Sequence, residues 1–410
     1  MYIDRSIEKI IKNRINNSKC LLLTGARQVG KSTLLKNTYN KYNYITLDDL
    51  IIRNNAVNDP KLFISNERKP AIIDEIQYAG DLFSYIKIEC DNSNSNGQYI
   101  LTGSQQLSIL DKASESLAGR VSILELNGLS LREINKVKFN KHFVPNKEYI
   151  TDREKELKKY KNIWEIIHRG SYPELYVGKR DWNDYYSSYV KTYLERDIKL
   201  EINLKDELTF IKFLTAIASR TGQMLNYNEI ANEAGVSLPT IKNWVSILNR
   251  TGIVFILEPY YSNHLKRAIK TPKLYFKDTG LACYLTRWNT PETLENGAMA
   301  GHMFETFIIN EIIKSFSNEG KEYRFNVFYY RGKDNSEDRE YEIDLIIEEN
   351  GILYPIEIKK TASPTSGMAS CFKTLDNETH LKRGLGAIVC LSDRKIYLKD
   401  NLVVLPIEYI

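Results

Sequence analysis

The chain is poor in the residues that build disulfide frameworks and metal centres. Its 410 residues include only five cysteines and five histidines. Cys20, Cys90, Cys283, Cys371 and Cys390 stand far apart in odd number, and no pair has zinc-ligand or redox-motif spacing. A disulfide-stapled secreted scaffold is therefore excluded, and buried thiols in a reducing compartment are expected. His168, His264 and His302 stand alone and are read as structural or surface residues. No apolar run approaches the roughly 18 residues that a membrane helix needs. Met1-Tyr-Ile-Asp-Arg5 lacks the charged-then-apolar pattern of a signal peptide. The expectation is a cytoplasmic protein with no membrane partner. Charge of one sign is also scarce: 57 Lys and Arg against 52 Asp and Glu leave +5, which permits nucleic-acid binding without arguing for it.

The hydrophobic share of 42% suits soluble domains with real cores. The length implies about two to four of them. The most informative stretch is Gly25-Ala-Arg-Gln-Val-Gly30-Lys31-Ser32. It follows an apolar run, Cys20–Thr24, and precedes a helical pattern from Thr33. Strand, glycine-rich loop and helix are the context a phosphate-binding P-loop requires. Backbone N–H groups cradle phosphate oxygens there, and the helix N-terminus adds partial positive charge. Gly25, Arg27, Gly30, Lys31, Ser32 and Thr33 are thus the expected nucleotide-binding residues, with Lys31 on the β- and γ-phosphates and Ser32 on Mg²⁺. The implied ligands are ATP and Mg²⁺.

Further short apolar runs, Tyr44–Leu47, Ala71–Ile73, Tyr99–Thr102 and Val121–Leu126, alternate with helical patterns as in an α/β sheet domain. The third ends in Asp74-Glu75. At this distance from a P-loop, Asp74 is expected to hold Mg²⁺ and Glu75 to polarise the attacking water. The fourth run ends in Thr102-Gly-Ser104, where Thr102 or Ser104 could sense the γ-phosphate; the alternative is an ordinary strand-to-helix turn with Ser104 as N-cap. Arg120 precedes the fifth run and is either an arginine finger, in cis or from a neighbouring subunit, or a surface residue. Residues 20–126 resemble the AAA-like branch of P-loop ATPases. That resemblance adds weight to Glu75 as base and Arg120 as finger.

Lys136 to Lys161 is lysine-rich with little apolar periodicity and reads as a connection or insertion. Residues 163–222 read as helical. The tyrosines Tyr185, Tyr186, Tyr189 and Tyr193 have helical spacing and suit core packing better than base stacking. Tyr227–Ala234 reads as a helix, Gly235 as a turn and Ser237 as the N-cap of a second helix with Ile241, Val245 and Leu248 on one face. Gly252–Ile256 would begin a wing. In this winged-helix-like module Thr240, Lys242, Asn243 and Ser246 face outward, with Lys266, Arg267 and Lys270 nearby. DNA is one partner it would suit; packing domains together is the other role open to it.

The carboxyl-terminal region returns to mixed α/β. Glu342-Ile-Asp344-Leu-Ile-Ile347 reads as a strand, Asn350-Gly351 as a tight turn, and Ile352–Lys359 as its return. Glu357 and Lys359 share a face, and Asp344 can meet them across the hairpin. Glu305, at the start of an amphipathic helix, could complete a Mg²⁺ site of Asp344 and Glu357, with Lys359 steadying charge. Glu305, Asp344 and Glu357-Ile-Lys359 resemble the PD-(D/E)XK nuclease superfamily, without the proline before the first aspartate. Cross-strand ion pairs on a wet face are the alternative.

These pieces, with Gly170-Ser-Tyr-Pro173-Glu174, Tyr193-Leu-Glu-Arg196-Asp197 and Gly301-His-Met-Phe304-Glu305, span nearly the whole chain. Together they resemble prokaryotic ATPases that join an AAA-like domain to a carboxyl-terminal domain of unknown function. The resemblance implies an α/β fold in four parts. Residues 1–135 form the P-loop ATPase domain, 136–222 a connection and helical region, 223–270 the winged-helix-like module, and 271–410 a restriction-endonuclease-like domain. Two functions remain open: an ATP-hydrolysing protein acting on DNA, or an ATP-dependent switch of protein assembly, including homo-oligomers, whose last domain is non-catalytic.

Overall fold

The protein is described here from a computed structural model, which covers residues 2–103, 113, 115–192, 207–260, 271–333, 340–378 and 381–410. All five expected amino-terminal strands form: β1 (Cys20–Thr24), β2 (Asn43–Thr46), β3 (Ala71–Asp74), β4 (Tyr99–Thr102) and β5 (Val121–Glu125). They pair in parallel in the order β2-β3-β4-β1-β5. Every residue of β1 is buried, because a parallel sheet is covered on both faces. Leu21 and Leu23 point to one core, with Ile7, Ile11 and Ile15 of the preceding helix. Cys20 and Leu22 point to the other, with Phe83 and Ile86. Period-two alternation within an unbroken apolar run thus serves two cores at once.

The order matters for chemistry. Strand β4 lies between β1, which feeds the P-loop, and β3, which ends at Asp74. All three carboxyl ends meet at one edge, the position where open α/β sheets bind ligands.

Residues 136–161 are more than a connection. Phe139, Phe143, Tyr149 and Ile150 are buried in the main core, and Lys147–Glu154 is a helix. Their spacing before residue 147 follows no helical or strand period, which hid their burial from pattern reading. Arg132 ties this segment to the carboxyl terminus, donating to the Tyr149 hydroxyl at 2.6 Å and the Ile410 carbonyl at 3.1 Å.

In the middle region, Tyr227–Ala234 and Leu238–Arg250 are helices joined at Gly235, whose φ of 70° suits a residue without Cβ. Ser237 caps the second helix, and Ile241, Val245 and Leu248 are buried, joined by Trp244 and Ile247. Strands β6 (Gln223–Met224), β7 (Val254–Leu257) and β8 (Lys273–Phe276) form an antiparallel sheet in the order β6-β8-β7. Lys242, Asn243 and Ser246 are exposed and Thr240 is half-buried. Lys266, Arg267 and Lys270 lie outside the described residues, as do Tyr193 and the rest of its motif.

The last region is a mixed seven-stranded sheet: β9 (Val327–Lys333), β10 (Glu340–Glu349), β11 (Ile352–Lys359), β12 (Lys382–Arg383), β13 (Gly386–Cys390), β14 (Ile396–Lys399) and β15 (Leu402–Pro406). Its order is β14-β15-β13-β11-β10-β9, with β12 beside β11. Strands β10 and β11 form the expected hairpin, with Asn350 at φ 52° and Gly351 at φ 74°. Both positive angles suit a two-residue turn that matches strand twist. The helix Ala300–Asn318 packs against this sheet and is nearly buried throughout. All five cysteines are free and buried. No helix among the described residues is long and apolar enough to cross a membrane.

Candidate active site

The P-loop is built by backbone geometry. Gly25 has φ 150°, and a Cβ there would stand 2.2 Å from the Leu126 carbonyl oxygen, so no side chain fits. Gly30, at φ 95°, turns the loop into the helix Lys31–Thr38. Lys31 is buried, and its ammonium donates to the carbonyls of Gly25 and Ala26, each at 3.0 Å. Burial lowers its pKa, opposed by the nearby Glu75 and Asp74 carboxylates.

Asp74 gathers three hydroxyls. Ser32 donates to its two carboxylate oxygens at 3.0 and 2.9 Å. Tyr44, on the neighbouring β2, and Thr102, on β4, also donate to it. Thr102 accepts from the Glu75 backbone N–H at 3.1 Å. Glu75 has φ 60° and ψ 47°, a left-handed conformation rare for a side chain of its size. Its carboxylate accepts from Gln77 and lines the cavity above the loop. The backbone therefore turns Glu75 toward the cavity as Asp74 stays buried.

That cavity holds about 580 Å³, a size ordinary for a small-molecule ligand. Arg27, Gly30, Lys31, Ser32, Thr33 and Glu75 line its polar side. Two sequence expectations change in detail. Thr102 is fully buried and faces Asp74 and Glu75, so it positions them instead of sensing phosphate directly. Arg120 sits before β5, where its carbonyl accepts from the Cys20 N–H at the start of β1. It is paired with Asp91 at the sheet edge opposite the P-loop, out of reach of its own chain's cavity. Ser104 lies outside the described residues.

Sequence reading missed Tyr44 and Arg5. Arg5 is buried and grips three segments at once: the Val29 carbonyl at 2.9 Å, the Asn127 carbonyl at 2.6 Å and Glu133 at 3.2 Å. It clamps the P-loop backbone to the segment after β5. A lone arginine near the chain start and a strand tyrosine carry no local signal of either role.

The carboxyl-terminal residues also converge, but around lysines. Lys359 lies 3.0 Å from Asp344 and 2.6 Å from Glu357. The Ile358 N–H donates to Asp344 at 2.8 Å, and the Cys371 thiol to Glu357 at 3.4 Å. A register shift between Ile343 and Ile346 interrupts the pairing with β9 over Asp344–Leu345. Glu305 faces β8 instead: Lys273 lies 3.0 Å and the Tyr275 hydroxyl 2.6 Å from it. Lys273 also pairs with Glu342 at 2.6 Å and is only 3% exposed. Burial and the Asp344 charge push Glu357 up to about 8 against the pull of Lys359. Burial pushes Glu305 up to about 7, with Lys273 opposing and Asp344 adding to the rise. Lys273 itself is raised: burial lowers it, but Glu305, Glu342 and Asp344 outweigh that. Among the described residues, no three acidic, histidine or cysteine side chains are grouped to hold a metal ion. Asp344 and Glu357 therefore meet at the Lys359 ammonium, and Glu305 pairs separately with Lys273.

Alternate residues of and after β8 carry the contacts. Lys273 and Tyr275 reach Glu305, and Lys277 pairs with Glu125 at the end of β5. One strand face therefore touches both the carboxyl-terminal cluster and the edge of the amino-terminal sheet.

Residues 17–135 match the AAA domain family. The amino-terminal part is an AAA-type P-loop ATPase domain. Residues 160–292 and 300–410 match two families described as domains of unknown function, DUF8612 and DUF4143. Similar whole proteins are uncharacterized: one from Mycobacterium tuberculosis is 26% identical over 407 residues, covering 98% of this chain and 82% of its own. Another, from Methanocaldococcus jannaschii, is 25% identical over 320 residues, covering 67% of this chain and 63% of its own. Among solved structures, the Walker-type ATPase of Pyrococcus abyssi aligns with 69% of this chain and 96% of its own, at 17% identity and TM-score 0.39. A likeness that low adds nothing to the assignment, which rests on the AAA match.

Proposed function

We propose that the chain is a cytoplasmic, Mg²⁺-dependent ATPase whose nucleotide cycle acts on DNA. The observation that carries the ATPase reading is the Ser32 hydroxyl, which lines the cavity with Lys31 and Glu75 and donates to the buried Asp74 behind it. A hydroxyl and a carboxylate oxygen side by side are the hard-donor set that suits Mg²⁺. When bound, Mg²⁺ supplies neutralising charge to the β- and γ-phosphate oxygens. Lys31 exchanges its two carbonyl partners for phosphate oxygens. Glu75 accepts hydrogen bonding from the attacking water and orients it, while Thr102 fixes the backbone that aims Glu75.

For the DNA step, residues 223–270 form the winged-helix-like module. Support comes from the capped helix Leu238–Arg250, which leaves Lys242, Asn243 and Ser246 on its exposed face. Residues 271–410 have the restriction-endonuclease-like reading, with Glu305, Asp344, Glu357 and Lys359 at its centre. A second reading is favoured by Lys273. This lysine already occupies the cationic position beside Glu305, as a non-catalytic module in an ATP-dependent protein assembly would have it.

Steady-state ATP hydrolysis by wild type and Glu75→Gln, with and without duplex and single-stranded DNA, tests both. Turnover stimulated by DNA and reduced about 100-fold or more in Glu75→Gln supports the first reading. Turnover indifferent to DNA overturns it in favour of the assembly switch. Absence of turnover in wild type removes the ATPase reading altogether.

A further inference from the structure

The DNA reading needs more positive charge than its docking helix supplies. The exposed face of Leu238–Arg250 offers Lys242, with Arg250 half-buried at its end. The helix before it, Tyr227–Ala234, exposes Glu229 and Glu233. Duplex DNA is densely charged, and sequence-independent affinity comes from the lysines and arginines that neutralise its phosphates.

Such charge is concentrated in residues 136–161. Residues 136–159 fall between the AAA match and the one that follows it. Val137 and Phe139 are buried, and Lys136 and Lys138 beside them are exposed. Lys158, Lys159 and Lys161 are exposed too. The Lys158 ammonium donates to the Asn135 carbonyl at 2.7 Å, which brings the two ends of the segment together. Lys360, exposed directly after β11, lies over the Trp164 ring at 5.2 Å and donates to the Glu295 carbonyl. It extends the row of lysines toward Lys359. Other lysines of the segment are neutralised: Lys141 pairs with Glu148 and Asp152, and Lys155 with Asp152. Among the described residues, none of Lys136, Lys138, Lys158, Lys159, Lys161 and Lys360 is in an ion pair. The acids beside them are few: Glu156 and Glu165 are exposed, and Glu408 is half-buried near Lys159.

We infer that these six lysines form a phosphate-backbone surface for duplex DNA, set between the AAA domain and the carboxyl-terminal sheet. The inference rests on the DNA reading above and gives sequence-independent binding to this surface, apart from the helix Leu238–Arg250. Lysine ammoniums are compact point charges, which suits contact with phosphates in no fixed geometry. A single strand would need aromatic faces for its bases to stack on. The surface offers none: Trp164 is 3% exposed beneath Lys360, and the Tyr160 hydroxyl is buried.

Fluorescence anisotropy of a labelled duplex, titrated with the full chain over a range of salt concentrations, tests this. Wild-type affinity should fall steeply with salt. Lys138→Gln, Lys159→Gln and Lys161→Gln together remove three exposed charges. They should flatten the slope of log affinity against log salt by roughly 2–3, at about 0.9 for each phosphate contact, and equally for unrelated duplex sequences. Lys242→Gln should flatten it by about 1 at most. The triple variant should match wild type in melting temperature and in ATP hydrolysis without DNA. Should it fail to fold, Lys159→Gln with Lys161→Gln must flatten the slope by roughly 2. A variant that keeps the wild-type slope overturns the surface and leaves the DNA reading to the helix Leu238–Arg250. A wild type that binds no duplex defeats the DNA reading and the surface with it; binding to vesicles of phosphatidylcholine and phosphatidylserine would then reassign the lysines to a lipid surface.

Discussion

Replacing Lys273 by methionine is the sharpest probe of how this chain handles buried charge. The change keeps an unbranched side chain of similar length and removes only the ammonium. In the native structure that ammonium lies 3.0 Å from Glu305 and 2.6 Å from Glu342 and is 3% exposed. Removing one partner of a buried pair leaves uncompensated charge and costs about 3–5 kcal/mol. The Glu342 side chain is 39% exposed and can turn to water, so the penalty falls mainly on Glu305 and about 3 kcal/mol is expected. The assay is urea unfolding followed by fluorescence of the four tryptophans. Protonation gives a second handle. Burial holds the Glu305 carboxyl up at about 7, and Lys273 opposes that rise. Without the lysine it rises further, so in the variant Glu305 is neutral at pH 6 and forced into a buried charge, or kept protonated at a cost, at pH 8. The deficit should therefore be larger at pH 8 than at pH 6. Adding Glu305→Gln, which can still accept from Tyr275, should restore at least half of the loss. A deficit below about 1 kcal/mol, one independent of pH, or one untouched by Glu305→Gln would refute the reasoning.

Wild-type stability should itself fall as pH rises. Glu305 at about 7 and Glu357 at about 8 stand above the ordinary glutamate value, so their neutral forms favour the folded state. That contribution is complete below about pH 4.3 and fades as pH climbs through both values; unfolding at pH 6, 7, 8 and 9 checks it, and Glu357→Gln should flatten the slope. Arg5→Ala should cost about 3 kcal/mol and weaken ATP and tripolyphosphate alike, since it frees the P-loop backbone; Arg5→Lys should not rescue, because a point charge cannot grip three segments. Lys31→Ala should weaken ATP at least about tenfold by calorimetry, as a charge-assisted phosphate contact is lost.

Much of the amino-terminal domain was legible because its signals are local. Gly25 and Gly30 are demanded by backbone angles and close approach within one loop, and Asp74-Glu75 follows its own strand. The tight turn at Asn350-Gly351 and the cap at Ser237 were legible for the same reason: a few neighbouring residues determine them. Phe139 and Phe143 were not, because they pack from an irregular segment whose burial has no period.

What the sequence determined by itself is thus the P-loop, the strands that carry it, and which residues could do chemistry. What only the tertiary structure decided is company. Strand order placed Thr102 behind Asp74, sent Arg120 to the far edge of the sheet, and brought Tyr44 to the carboxylate. Lys273 met Glu305 and Glu342 because β8 runs past a helix and a strand from later in the chain. Such contacts join residues as many as 278 positions apart, as Arg132 and Ile410 are. Electrostatics and packing act on distance in space, which sequence spacing does not encode beyond a turn or a hairpin.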